Sequence, residues 1–212
     1  MKKAVTVMSD IKVTGTPQTY GDGAIRNSKE GKGRFDLIPP EPYKVIVNRL
    51  IFLRDHRIEL SITNDYIWKK AFTDENYIDA IILLTAREYG IKNKALGYTT
   101  DNSTTYDPEY ADMGFWSMLR DLAVHFQKGA VIYGEHNCEK GIPIWSFRDS
   151  GLRHLSQYFN NEQDEPHLIA AIWNFWMLIW TALRLDEDFE KYKERNNCYR
   201  DLAFEKIDEN LK

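Results

Sequence analysis

The chain has 212 residues, 43% of them hydrophobic and 28% charged, with a formal net charge of −4. That length serves one sizeable core, or a core with an appended subdomain, and the balance is that of an ordinary folded domain. It excludes bulk electrostatic binding to nucleic acid, which needs a concentrated basic face, so no direct nucleic-acid partner is expected.

Cys138 and Cys198 lie far apart and outside any C-x-x-C pair. A disulfide framework is not expected, and a reducing cytoplasm fits best. The start, MKKAVTVMSD, lacks the apolar run of a signal peptide. The most apolar stretch, HLIAAIWNFWMLIWTALRL over 167–185, approaches the length of a membrane span, but it begins at His167 and contains Asn174. It reads as a buried helix, with no membrane partner.

In chain order, residues 1–20 read as extended or disordered, and 21–43 as a Gly- and Pro-rich loop. Within it GKGRFDLIPPEPY, residues 31–43, is unsuited to a helix. Residues 44–54 read as a helix with apolar positions at Val47, Leu50, Ile51 and Leu53. Segments 64–72 and 75–89 follow, the second tracing one helical face with Tyr77, Ile78, Ile81, Ile82 and Leu84 and closed by Gly90. Residues 97–110, GYTTDNSTTYDPEY, are polar with turn chemistry throughout, serving either as an exposed linker or as a mobile lid.

The next helix, 113–134, has a stripe of Phe115, Met118, Leu119, Leu122 and Phe126. Gly129 interrupts it, as where another backbone approaches closely, and Gly134 ends it. A loop over 135–148 leads to a helix GLRHLSQYF capped by Asp149 or Ser150. Asp164 suits the N-cap, and Pro166 the first turn, of a last long helix running to about Leu185. The tail, 186–212, is charged, with a short helix near its end. The whole is expected to be all-α, a single domain over 1–212 with no internal repeat.

Four of the five histidines, His125, His136, His154 and His167, lie within 43 residues of one another, among Glu135, Glu139, Glu162, Asp164 and Glu165. Carboxylate oxygens suit Mg²⁺ or Mn²⁺, while imidazoles shift preference toward transition metals. Asp164, His167 and Asn174 fall close to one face of the last helix. Asn174 sits among Trp173, Phe175 and Trp176, where a buried amide needs a partner, either in a site or on a neighbouring helix. Arg153 and His154 point about 100° apart, so one can face a site while the other flanks it. In GKGRFDLIPP, the glycines around Lys32 let backbone N–H groups approach an anion, and Arg34 can grip phosphate oxygens; a solvated basic turn is the alternative. No Walker A pattern is present.

Taken together, GDGAIRNSKEGKGRFDLIPP, LAVHFQKGAVIYGEHNCEKGIP and FRDSGLRHLSQYFNNEQDEPHLIAAIWN resemble, in that order, a phage-associated family, the dATP/dGTP diphosphohydrolase N-terminal domain, related to MazG-type all-α nucleotide pyrophosphohydrolases. The resemblance implies a MazG-like helical bundle that assembles as a homo-oligomer in the cytoplasm. It implies hydrolysis of a purine deoxynucleoside triphosphate to the monophosphate and pyrophosphate, with Mg²⁺ or Mn²⁺. By the same resemblance Lys32, Arg34, Asp36, Tyr133, Asn137, Arg153 and Asn174 bind substrate. Asp164, Glu165, His154 and His167 hold metal, and Glu165, His154 and His167 serve catalysis. It also marks 21–50 and 113–185 as the hydrolase core and 51–112 as a helical insertion. Cys138 stands where the family carries tryptophan, and Pro166 replaces an acid. Of the MazG-type acidic pairs, Glu162 and Glu165 have the spacing of the first, E-x-x-E, while the second, E-x-x-D, has no clean counterpart. Those departures support a rival reading, a non-catalytic protein that sequesters a nucleotide.

Overall fold

Residues 77–85, YIDAIILLT, form a helix that is buried on every side. An apolar helix of this kind has no face to give to water and must lie inside. It occupies the centre of an all-α architecture, in a computed structural model that describes residues 18–19, 21, 25–26, 32–58, 60–90 and 108–187. Among the described residues the α-helices are α1 (Glu41–Asp55), α2 (Asn64–Trp68), α3 (Tyr77–Thr85), α4 (Pro108–Tyr133), α5 (Ile144–Phe159) and α6 (His167–Glu187). A short antiparallel ribbon precedes them, pairing Gln18 with Arg26 and Thr19 with Ile25. Helix α3 packs against α1, α4 and α6, so part of the 51–112 segment lies at the heart of the core.

One charge enters that centre. Asp79 of α3 has a side chain 1% exposed, and Arg49 of α1 holds it bidentately at 2.8 and 3.0 Å. Helix α3 is thus not the one-faced helix its spacing predicts, because its remaining sides are covered by other elements. The Asn76 side chain caps it, accepting from the Asp79 amide at 2.9 Å. Wider π-helical turns extend α2 over Lys69–Thr73 and α3 over Ala86–Gly90.

The 31–43 segment is more ordered than its composition predicts. Phe35–Leu37 make a 3₁₀ turn, and α1 starts at Glu41 with Pro42 in its first turn, where the missing N–H costs nothing. The arm is stitched to the core at three places. Arg34 N donates to Ala123 O at 3.0 Å, Gly33 N to Gln127 Oε1 at 3.1 Å, and the buried Trp176 Nε1 to Pro39 O at 3.1 Å. Gly33 has φ +80°, and a Cβ there would stand 2.8 Å from the Ala123 Cβ.

Several boundaries differ from the sequence reading. Helix α4 begins at Pro108, inside the expected 97–110 loop; the rest of that loop, the 1–20 segment apart from Gln18–Thr19, and the tail beyond 187 lie outside the described residues. Gly129 does not interrupt α4, and no neighbouring atom lies within 4 Å of a Cβ built there. Helix α5 starts at Ile144 after an extended Pro143, so Asp149 and Ser150 are mid-helix and cap nothing. The buried Ile144 and Phe147 extend the apolar stripe back by two turns, which decides the start. At α6, Pro166 O accepts from Ala170 N at 3.1 Å. That places Pro166, not Asp164, at the cap position, and frees the Asp164 side chain for another bond. Helices α5 and α6 form the most extensive pair in the fold, and Gly151 permits it: a Cβ there would come 2.6 Å from Phe175 Cε1.

Candidate active site

The α5–α6 turn brings together four of the residues singled out in the sequence. His154 of α5 is 7% exposed and His167, the first residue of α6, 2%. Their Nδ1 atoms face each other at 3.1 Å. Glu165 Oε1 lies 3.4 Å from the first and 3.7 Å from the second. Asp164 Oδ1 lies 2.7 Å from His167 Nε2.

These contacts assign the protons. A carboxylate only accepts, so His167 Nε2 carries a proton toward Asp164 and its Nδ1 is a lone pair when the ring is neutral. His154 Nδ1–H then donates to it. His154 Nε2 is left to accept, consistent with Arg153 Nη2 at 3.4 Å. The hydrogen bond from His167 holds the Asp164 carboxyl below the usual carboxylate range. Burial, and then the Arg153 charge, lower the His154 pKa and favour its neutral form.

Two hollows open among these helices. A polar cleft of about 520 Å³ is lined by Glu88, Asp121, Glu162, Glu165 and His167 among others. The π-helical turn after α3 sends Glu88 and Tyr89 into it, where Tyr158 OH donates to Glu88 and Tyr89 OH to Asp121 at 3.1 Å. An apolar cavity of about 320 Å³ is walled by Leu37, Phe126, Gly129, Tyr133 and Trp173, with His125, His136 and Asn137 among its polar groups. Gly129 leaves space here, the opposite of the close backbone approach expected from sequence. In the apolar cavity the His125 ring centroid is 5.7 Å from that of Trp173. Burial, and then the charges of His154 and Lys128, push the His125 pKa down to about 4.

The other predicted residues are placed as follows. Tyr133 and Asn137 line the apolar cavity. Arg34 does not line either hollow; it is gripped by Asp36 at 2.6 Å and by Glu135 at 2.5 Å, and these two acids raise its pKa. Leu37, from the same arm, reaches the cavity instead. Lys32 is exposed, and Arg153 is exposed beside His154. Asn174 Nδ2 donates to Ala170 O of its own helix at 2.8 Å, rather than to a site or a neighbouring helix. The expected four-residue metal set divides: His154, Glu165 and His167 form one group within ligating range, and Glu162, Asp164 and His167 another. Glu162 was legible in its E-x-x-E spacing with Glu165. Glu88 and Asp121 carried no sequence signal, being 33 residues apart and joined only by the fold.

Fold and site define an all-α protein with a buried histidine pair beside an acidic cleft, and with an apolar cavity among the same helices. Residues 99–194 match the family described as dATP/dGTP diphosphohydrolase, N-terminal. That range holds Tyr133, Asn137, Arg153, His154, Asp164, Glu165, His167 and Asn174, and leaves out Lys32, Arg34 and Asp36. Neither a curated relative nor a solved structure matches the chain. No helix among the described residues is long and apolar enough to cross a membrane.

Proposed function

We propose that the protein hydrolyses a purine deoxynucleoside triphosphate, dATP or dGTP, to the monophosphate and pyrophosphate with a divalent ion. The observation that carries this reading is the His154–Glu165–His167 group, two of whose members line a carboxylate-lined cleft, within a segment matching a diphosphohydrolase family; an apolar cavity sized for a ring system opens among the same helices. The base enters the apolar cavity, where Trp173 offers a face and His125 and Asn137 offer hydrogen bonds. A cation–phosphate role for Arg34 is secondary, since two carboxylates already neutralise it.

The donor set fits an ion: two imidazoles and a carboxylate converge, and Asp164 holds the back of His167. When bound, such an ion supplies charge neutralisation at the phosphate oxygens and acidifies water. The chain's own groups do the rest. Glu165, exposed at the cleft, takes a proton from the attacking water. The oxygen adds to the α-phosphorus, the bond from that phosphorus to the α,β-bridging oxygen breaks, and pyrophosphate departs. Asp164 accepts from His167 Nε2 at 2.7 Å and so holds that ring in place throughout. A single domain and a homo-oligomer in the cytoplasm belong to the same reading, and the single buried cluster spanning α1 to α6 supports the first.

The test is pyrophosphate release from the four dNTPs, ATP and GTP with Mg²⁺ or Mn²⁺, beside Glu165→Ala. Metal-dependent release from dATP or dGTP, abolished in the variant, is expected. Recovery of tightly bound but intact nucleotide would replace this reading with the sequestering one.

A further inference from the structure

We infer that His154, His167 and Glu165 form a site for a first-row transition ion, selective against Mg²⁺, with Asp164 as the residue that positions His167. The inference takes its biological sense from the proposed hydrolase but stands on geometry that can be tested without turnover.

The spacing of the donors comes first. The three separations are 3.1 Å between the two Nδ1 atoms and 3.4 and 3.7 Å from these to Glu165 Oε1. Ligands held at about 2.1 Å from one ion stand about 3.0 Å apart in an octahedron and about 3.4 Å apart in a tetrahedron. The group therefore has edges of the right size before any rearrangement.

Orientation comes second. An imidazole that ligates through one nitrogen is held by a hydrogen bond from the other, usually to a carboxylate. His167 has this arrangement: Nε2–H meets Asp164 at 2.7 Å, and Nδ1 points at the group. His154 needs only a tautomer change, its proton moving from Nδ1 to Nε2. That proton would then oppose Arg153 Nη2, now 3.4 Å away. Arg153 is exposed and has a second partner in Gln157 Oε1 at 3.3 Å, so it can turn aside. A cation beside the site also weakens ion binding, so removing it strengthens binding.

Donor chemistry comes third. Two of three ligands are imidazole nitrogens, which favour first-row transition ions; Mg²⁺ prefers oxygen and keeps its water. Both histidines are at least nine-tenths buried, while Glu165 is exposed on the turn, which leaves the cleft as the way in.

The metal-free full chain is titrated with Co²⁺, reading visible d–d absorption, and with Zn²⁺ by equilibrium dialysis. One ion per chain is expected, with the Co²⁺ spectrum unchanged in excess Mg²⁺. His167→Ala truncates a buried side chain and can unfold the protein, so the exposed-turn variants decide. Glu165→Gln is expected to weaken Co²⁺ about tenfold or more, Asp164→Asn about 10- to 100-fold, and Arg153→Gln to strengthen it. No spectral change in the wild type, a spectrum erased by Mg²⁺, or unaltered affinity in Glu165→Gln overturns the assignment. Co²⁺ binding without dNTP hydrolysis upholds this site and removes the hydrolase; Mg²⁺-supported hydrolysis without Co²⁺ binding does the reverse.

Discussion

Gly33 packs directly on Ala123: its amide donates to Gln127, its φ is +80°, and a Cβ would stand 2.8 Å from the Ala123 Cβ and 3.1 Å from the Val124 amide nitrogen. The N-terminal arm is thereby held against α4 at the small side chain of Ala123. Gly33→Ala combines a left-handed backbone with a clash against a helix. It is expected to lower stability by about 1–3 kcal/mol and to speed exchange of the Arg34 amide. Calorimetry with amide exchange checks this, and an unchanged Tm would show that the arm does not dock as described.

Two other glycines give opposite signs for one substitution. Gly129 faces open space, so Gly129→Ala is expected to stabilise α4 by up to about 1 kcal/mol through helix propensity. Gly151 touches Phe175, and Gly151→Ala is expected to destabilise by about 1–3 kcal/mol despite the same propensity gain. Gly129→Leu extends the argument to function, because its side chain projects into the cavity that Gly129 lines and takes up part of it. Calorimetric binding of dATP and dGTP is expected to fall at least tenfold while Tm holds. Undiminished binding would place the base elsewhere.

The Arg49–Asp79 pair is costly to break on one side. Arg49→Met leaves a carboxylate 1% exposed without its partner and is expected to cost about 3–5 kcal/mol. The double variant Arg49→Met/Asp79→Leu removes the stranded charge and is expected to recover much of that loss. Denaturant unfolding of the singles and the double measures the coupling; simple additivity would mean that the pair is not coupled.

Acid weakens the metal-free fold through His125. Its folded pKa is lowered from 6.5 to about 4, by burial first and then by His154 and Lys128, with Glu165 opposing. As pH falls, the unfolded chain binds this proton first. Stability is therefore fully present above about pH 6.5 and is lost progressively toward pH 4, by about 3 kcal/mol at most. His154 is lowered as well, by burial and then by Arg153, and acts in the same direction. The Tm profile of His125→Phe is expected to be flatter than that of the wild type between these pH values, and an identical slope would assign the acid sensitivity to other groups.

The sequence by itself determined the all-α class, because 3.6-residue periodicity and breaking residues mark the helices locally. It also determined which residues have the chemistry for a site: His154, Asp164, Glu165 and His167 lie within 14 residues, and one turn between antiparallel helices was bound to bring them near. Only the tertiary structure decided how those groups are used. Packing of α5 on α6 through Gly151 faced two Nδ1 atoms at each other, and the cap position of Pro166 released Asp164 to hold His167 from behind. The folded chain also chose between uses that the local pattern had left open. Arg34, a phosphate ligand by its glycine-flanked motif, is neutralised by Glu135 from a hundred residues away as well as by Asp36 beside it. Asn174, marked by its apolar neighbours, closes on its own helix, a bond that spacing cannot distinguish from one to a site. The acidic cleft owes Glu88 to a π-helical turn and Asp121 to a different helix. No local rule in the chain encodes that meeting, because it arises from burying α3 among its neighbours.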